Sequence, residues 1–393
     1  MTEIVYGSVI SQKREPILVH WWHTVDRVSL AFVLGLYGIG VLLGLAASPP
    51  LAEKNGYLPL HYVNRQLIFG VLAISVMFLF SMLSPKILRR LGVIGFILSF
   101  IALALLPLFG TDFGKGSIRW YSLGFSSLQP SEFLKPFFVI LTAWLISVTF
   151  EINGPPGKII SFIIALIVSI FLVIQPDFGQ ASLILASWGM IYFVAGAPLI
   201  LLLIVAVSIL LSGVLSYGIS EHFARRIDGF LSVKIDPNTQ IGYATNAIQE
   251  GGIFGVGVGE GIVKNVLPDA HTDFIIAVAA EEFGLLFVLL IIFIYLTVTI
   301  RSLFRLIRER NTFIRLAGTG LAVLFASQAL INLGVAVRLL PAKGMTLPFI
   351  SYGGSSLLAG GIALGMLLAF TRERAQGAIG DVIGQNHRNK QEI

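Results

Sequence analysis

The sequence predicts an all-α membrane protein of about ten transmembrane helices, with a long external loop between helices 7 and 8. Three observations predict it. Of 393 residues, 56% are hydrophobic and 12% charged, whereas soluble domains carry about 25% charged residues. The apolar residues gather in runs of about 20, the length that spans a bilayer core. The cations sit in segments between those runs and divide unequally between the two sides. So few charges cannot build a water-facing surface. The two soluble domains that length alone suggests therefore give way to one membrane-embedded unit.

The elements follow in chain order. Residues 1–28 are polar and mixed, with Lys13, Arg14 and Arg27 ahead of the first apolar run and no small-residue cleavage site. That run is expected to remain as an anchor. Spans are expected at 29–47, 65–84, 92–110, 131–150, 158–175, 178–196, 198–217, 274–300, 314–338 and 351–371, with a tail at 372–393. Backbone groups in lipid must be satisfied internally, so the spans should be helices. Only Pro176-Asp177 separates the fifth from the sixth; proline supports a break because it lacks the helix donor and clashes with the previous turn. No repeat of helical-array or inverted-transporter type is visible.

Lys and Arg set the orientation. With the N-terminus in the cytoplasm, sixteen cations fall on the cytoplasmic side, including Arg89, Arg90, Arg301, Arg305 and Arg308, against ten outside, and an even span count returns the C-terminus to the cytoplasm. The net charge of +6 is thus topological, and nucleic-acid binding is not expected. There is no cysteine, which excludes disulfides, thiolate nucleophiles and Cys-ligated metals.

Residues 218–273 form the long external loop. Loops above about 12–15 residues without secondary structure are uncommon and often functional. The loop contains Gly251, Gly252, Gly255, Gly257 and Gly259. These glycines lack the Lys-Ser/Thr of a nucleotide-binding loop and follow no strand pattern, so close packing of a re-entrant segment is the better reading.

Charges inside spans are costly and mark candidate functional groups. Asp273 lies where the external loop meets the eighth span. It can cap that helix, or act as a carboxylate base at the membrane boundary. Glu281 and Glu282 follow two turns further in. At about 100° per residue Glu281 shares a face with Asp273 more readily, while Glu282 should pair elsewhere. Glu132 and Lys135, three apart behind Pro130, form an ion pair on one helix face. This pair either lets the helix begin inside the bundle or presents a cation to an anionic lipid headgroup. Arg119, Arg338 and Lys343 are external cations able to hold a pyrophosphate or simply to be solvated. His271 has no partner at metal-site spacing, and no nucleophile elbow is present. Small residues from Ser351 to Ser356, Ser355 among them, allow close helix approach.

Five segments in order resemble the SEDS family of bacterial cell-wall glycan polymerases: Gln129–Lys135 (QPSEFLK), Gln175–Gln180 (QPDFGQ), Gly251–Gly259, Leu267–Gly284 (LPDAHTDFIIAVAAEEFG) and Leu340–Ser356 (LPAKGMTLPFISYGGSS). The resemblance covers about residues 15–375. Lys343–Pro348 (KGMTLP) and His271-Thr272-Asp273 are similar to the division branch; the elongation branch, which typically has TGIPLP, is the runner-up. Asp269, where some relatives carry Glu, keeps the charge.

The resemblance implies a peptidoglycan glycosyltransferase of the inner membrane, at the division septum, that polymerises lipid II on the outer face and releases undecaprenyl pyrophosphate. It maps the family's essential aspartate onto Asp273, as general base for the acceptor 4-hydroxyl in an inverting attack. It maps the conserved polar cavity onto Glu132, Lys135 and Arg119. Glu281, His271 and Ser355 are further candidate substrate contacts, and Lys135, Arg119 and Lys343 are candidate pyrophosphate ligands. The implied partners are a class B penicillin-binding protein transpeptidase of the FtsI type, other divisome proteins and membrane lipids. No organic cofactor is implied. A divalent cation, Mg or Mn, could assist the leaving group, but no ligand cluster in the sequence marks a metal site. A lipid II flippase and a pure scaffold for the transpeptidase are the competing readings. The one-sided external loop favours chemistry on one face.

Overall fold

A computed structural model describes residues 16–373 apart from 113–117, 125, 342–343 and much of 199–238. A two-turn helix α1 (Ile17–Thr24) precedes α2 (Arg27–Ala47), and a short α3 (Pro49–Lys54) follows. Long helices follow: α4 (His61–Met82), α5 (Pro85–Phe109), α6 (Pro130–Val148), α7 (Gly157–Ile174) and α8 (Phe178–Val194). Helix α9 (Gln240–Gly251) and a 3₁₀ turn at Val263–Asn265 lead into α10 (Ile275–Ile307), α11 (Thr312–Ala336) and α12 (Gly354–Phe370). Between α5 and α6 a small antiparallel pair, β1 (Tyr121–Ser122) and β2 (Ser127–Leu128), closes one end.

Seven of these helices are long and apolar enough to cross a membrane, namely α2, α4, α5, α6, α7, α10 and α11; α8 and α12 are apolar at 17 residues. The expected span at 198–217 lies mostly outside the described residues. The turn at Gln175–Asp177 divides α7 from α8, where proline predicts a break, and the Asp177 carboxylate caps α8 by accepting from the Gln180 amide at 3.4 Å.

Helices α6 and α11 are the centre. Their apolar windows are each 72% buried, against 22–39% for the outer spans. Lipid tolerates apolar side chains and penalises polar ones, so the outer helices turn Ile68, Val71, Ile97, Leu98 and Phe293 outward, and the polar residues withdraw to the centre. Small residues let the helices meet: a Cβ on Gly361 of α12 would strike the Ala73 carbonyl of α4.

The segment 218–273 is not one structureless loop, because it holds α9 and the 3₁₀ turn. It folds back onto α10 where that helix breaks. At Gly284 the backbone is non-helical (φ 79°), and the freed groups find partners in the glycine stretch. The Leu285 amide donates to the Gly252 carbonyl at 3.0 Å, and the Val256 amide to the Glu281 carbonyl at 2.9 Å. Side chains would prevent this approach: a Cβ on Gly255 (φ +82°) would collide with the Glu282 carbonyl.

Candidate active site

Asp273 sits in the turn Asp269–Phe274 just before α10, half-buried. The N-cap of α10 is Phe274, with no side-chain cap bond, so capping of that helix is not Asp273's position. Three consecutive carbonyls of this turn are each gripped by a different donor. The Tyr352 amide donates to the His271 carbonyl at 3.0 Å, the Ser351 hydroxyl to the Thr272 carbonyl at 2.5 Å, and the Asn332 side-chain amide to the Asp273 carbonyl at 3.0 Å. Asn332 also donates to the Met345 carbonyl at 2.5 Å. The Asp273 carboxylate lies against Gly344, where a Cβ would sit 3.3 Å from Oδ2. Gly344 has φ +59°, so the chain passes the carboxylate in a conformation that suits glycine.

A polar chain runs from this turn into the centre of the bundle. Gln328 lies one turn before Asn332 on α11 and donates to the Thr346 carbonyl at 3.1 Å. Its side-chain oxygen accepts from Lys135 at 3.2 Å. Lys135 pairs with Glu132 at 2.9 Å on α6, the ion pair the three-residue spacing predicts. Glu132 also accepts from Gln180 of α8 at 2.6 Å. Lys135 is only 2% exposed and already shared between two oxygens. As placed, it ties α6 to α11 in the core.

Arg119 is likewise committed. Its Nε donates to the Gln175 carbonyl at 2.9 Å and one Nη to the Pro176 carbonyl at 2.7 Å, bracing the turn between α7 and α8. Ser355 bridges α12 to the β pair: its hydroxyl donates to the Ser127 carbonyl at 2.9 Å and accepts from the Gln129 amide at 3.1 Å. It therefore positions the start of α6. Glu281 does not open onto the Asp273 turn. It is fully buried, and its two oxygens accept from the Val263 and Lys264 amides at 2.7 and 3.1 Å. The helical-wheel estimate fails here because the folded-back loop covers that face of α10. Glu282 pairs with Lys264 of the same loop. Lys343 lies outside the described residues.

His271 is buried in an aromatic cluster, with ring centroids 5.3 Å from both Tyr62 and Tyr352. Tyr57 stacks on His61 at 4.3 Å beside Tyr62. Burial pushes the Tyr352 phenol up, and a hydrogen bond from Arg65 pulls partly against it. Arg65 thus brings a cation one ring away from the Asp273 turn. Sequence reasoning missed Asn332, Gln328, Tyr352 and Arg65 as site residues. The first two carried a signal, as amides four apart on one face of a largely apolar helix.

Among the described residues no three His, Asp or Glu side chains gather as metal ligands would. What the arrangement offers is the half-buried Asp273 carboxylate on a backbone held at three carbonyls, in the same turn as His271, whose ring meets Tyr62 and Tyr352. Such a group can take a proton from a hydroxyl held against it.

Known proteins share this architecture. Residues 27–376 match the family described as "Cell cycle protein", which groups FtsW, RodA and SpoVE. A probable peptidoglycan glycosyltransferase FtsW from Caulobacter vibrioides is 40% identical over 92% of this chain and 93% of its own. A protein of the same description from Trichlorobacter lovleyi is 35% identical over 87% of this chain and 92% of its own. Among solved structures, a chain from "Structural coordination of polymerization and crosslinking by a peptidoglycan synthase complex" superposes with a TM-score of 0.71 at 26% identity, covering 88% of this chain and 97% of that one. Thermus thermophilus RodA superposes at 0.65 with 25% identity, covering 89% and 97%. Matched along nearly its whole described length in both sequence and helix arrangement, the chain belongs to the FtsW/RodA/SpoVE family of cell cycle proteins.

Proposed function

We propose that this chain is a peptidoglycan glycosyltransferase that polymerises lipid II into glycan strands, with Asp273 as its general base. The observation that carries the proposal is the Asp273 turn, a half-buried carboxylate whose backbone is held by Tyr352, Ser351 and Asn332. Fixed mounting is what proximity catalysis needs, because a base displaced by about 1 Å costs about 10²-fold in rate. The names of the relatives support the reaction class.

The step balances simply. The 4-hydroxyl oxygen of the acceptor sugar forms a bond to the donor's anomeric carbon, with inversion. Its proton passes to the Asp273 carboxylate. The bond from the anomeric carbon to the diphosphate oxygen breaks, and the electron pair leaves with undecaprenyl pyrophosphate. Arg65 and Lys343 are the cations we assign to the departing diphosphate, in place of the committed Lys135 and Arg119. The Tyr62, His271 and Tyr352 rings, which cluster at the Asp273 turn, are the faces we assign to stacking a sugar.

In this reading the Asp273 end faces outward from the bacterial inner membrane and both termini face the cytoplasm, as the Lys and Arg distribution supports. The KGMTLP segment favours work at the division septum. The partner is a class B penicillin-binding protein transpeptidase within the divisome, a pairing supported by the polymerisation-and-crosslinking complex that shares this fold. The test is reconstitution of the chain in vesicles with lipid II, with and without that partner. Glycan strands that require the chain support the reading. Lipid II movement across the vesicle without any strand would favour a flippase instead.

A further inference from the structure

We propose that the groove along α10, at the end opposite Asp273, is a binding site for an anionic phospholipid. The groove has a volume of about 540 Å³. Phe293, Leu296, Ile300 and Phe304 line its length, and Arg301, Arg305 and Arg308 stand at its foot. The arginines lie four and three residues apart, so one helix face carries all three. Phe32 of α2 meets Phe293 edge-on at 6.5 Å.

The foot of the groove is built rather than loosely charged. Asp26, 1% exposed at the start of α2, accepts from Arg301 Nε on both oxygens at 2.8 Å. Arg305 is spent on Asp26, Glu373 and the Thr371 carbonyl. Arg301 is held through Nε, which leaves its two Nη groups for a ligand. Arg308 is exposed and makes no ion pair among the described residues. The level of the site is that of a lipid headgroup. Trp22 and Arg27, stacked at 4.8 Å, sit beside Asp26, and such Trp–cation pairs mark the membrane interface.

Charge selects the occupant. The C-terminal end of a helix carries a partial negative charge and repels an anion, so Arg301 and Arg308 must carry the headgroup. A phosphodiester above an acyl chain satisfies both parts: phosphate on Arg301 and Arg308, chain along Ile300, Leu296 and Phe293.

The test is native mass spectrometry of the full chain with phosphatidylglycerol or phosphatidylethanolamine of matched acyl chains, with melting temperature recorded alongside. Wild type is expected to retain phosphatidylglycerol preferentially. Arg308→Gln should weaken that retention roughly fivefold, the effect of about one interfacial cation. Arg90→Gln, an exposed cation at the same end on α5, should leave it unchanged. Phe304→Asn, on the apolar wall, should weaken the lipid as well. Equal retention of the two lipids, an unaltered Arg308→Gln, or displacement of the lipid by equimolar glycerol phosphate would each overturn the proposal. The last outcome would mean the site reads an anion alone.

Discussion

Asn332 holds Asp273 by its main chain, with one side-chain amide donating to the Asp273 carbonyl at 3.0 Å and to the Met345 carbonyl at 2.5 Å. The residues lie 59 apart in sequence, one in the turn before α10 and the other on α11. A single amide therefore sets both the height of the carboxylate and the path of the loop that passes it. Asn332→Ala would leave two carbonyls without this donor, each costing about 1–3 kcal/mol if no water replaces it. We expect strand synthesis to fall at least about tenfold, the effect of some 1.4 kcal/mol in the transition state. Asn332→Gln should not restore it, because the longer side chain shifts the amide. Initial rates from labelled lipid II on gels check this, with thermal melting to separate loss of fold from loss of rate.

The loop that covers Glu281 is fastened by a buried ion pair between Lys264 and Glu282, with side chains 7% and 0% exposed. Lys264→Met strands the Glu282 charge in the bundle, and breaking such a pair costs about 3–5 kcal/mol. The double variant Lys264→Met, Glu282→Gln removes the stranded charge and should recover most of the lost melting temperature. Equal melting of the single and double variants would show that the pair does not fasten the loop.

Gly284 marks the break in α10, and a Cβ there would press on the Ile253 carbonyl at a φ of +79°. Gly284→Ala is expected to reduce the folded yield sharply, as measured by the monodisperse fraction in detergent. Gly259→Ala, at φ +87° with open space around it, should be the milder change. A Gly284→Ala protein with wild-type yield would mean that the glycine stretch and α10 do not meet as described.

At the opposite end, burial by itself raises the Asp26 carboxyl, but the Arg301 and Ser29 hydrogen bonds and the Arg305 charge outweigh it and hold the group below its ordinary value of 3.8. The sign follows from linkage: a depressed carboxyl adds stability that is fully present above the unfolded pKa and is lost as pH falls through the folded one. Asp26→Asn should therefore lower the melting temperature by a constant amount from about pH 7 down to about pH 5. The gap should narrow only below the ordinary carboxyl value. Melting curves of both proteins across pH test this; a gap that closes near neutrality would contradict it.

The spans were legible because lipid imposes long apolar runs, and the break at Pro176 was legible because proline removes a donor wherever it falls. The Glu132–Lys135 pair was legible for the same local reason, since three residues is less than one helical turn. What could not be read was anything set by distant chain segments. The wheel put Glu281 towards Asp273, but the wheel has no knowledge of the Val263–Lys264 amides that cover that face. Ser355 at the start of the last span and Arg119 as an external cation read as ligand groups from their polarity alone. Their partners, Ser127 and Gln175, lie 228 and 56 residues away. Helix α1 escaped notice because eight residues fall well short of a span, although its Trp21 packs on Phe78 at 5.5 Å.

The most direct test concerns the carboxylate at position 273. Asp273→Asn keeps the size of the side chain and leaves the bonds from Tyr352, Ser351 and Asn332 to the backbone in place, so the protein should melt as wild type does. Purified with its transpeptidase partner and given lipid II, this variant is predicted to make no glycan strands on the timescale of the wild-type reaction. Strands formed at the wild-type rate by a folded Asp273→Asn protein would contradict the assignment of Asp273 as the base.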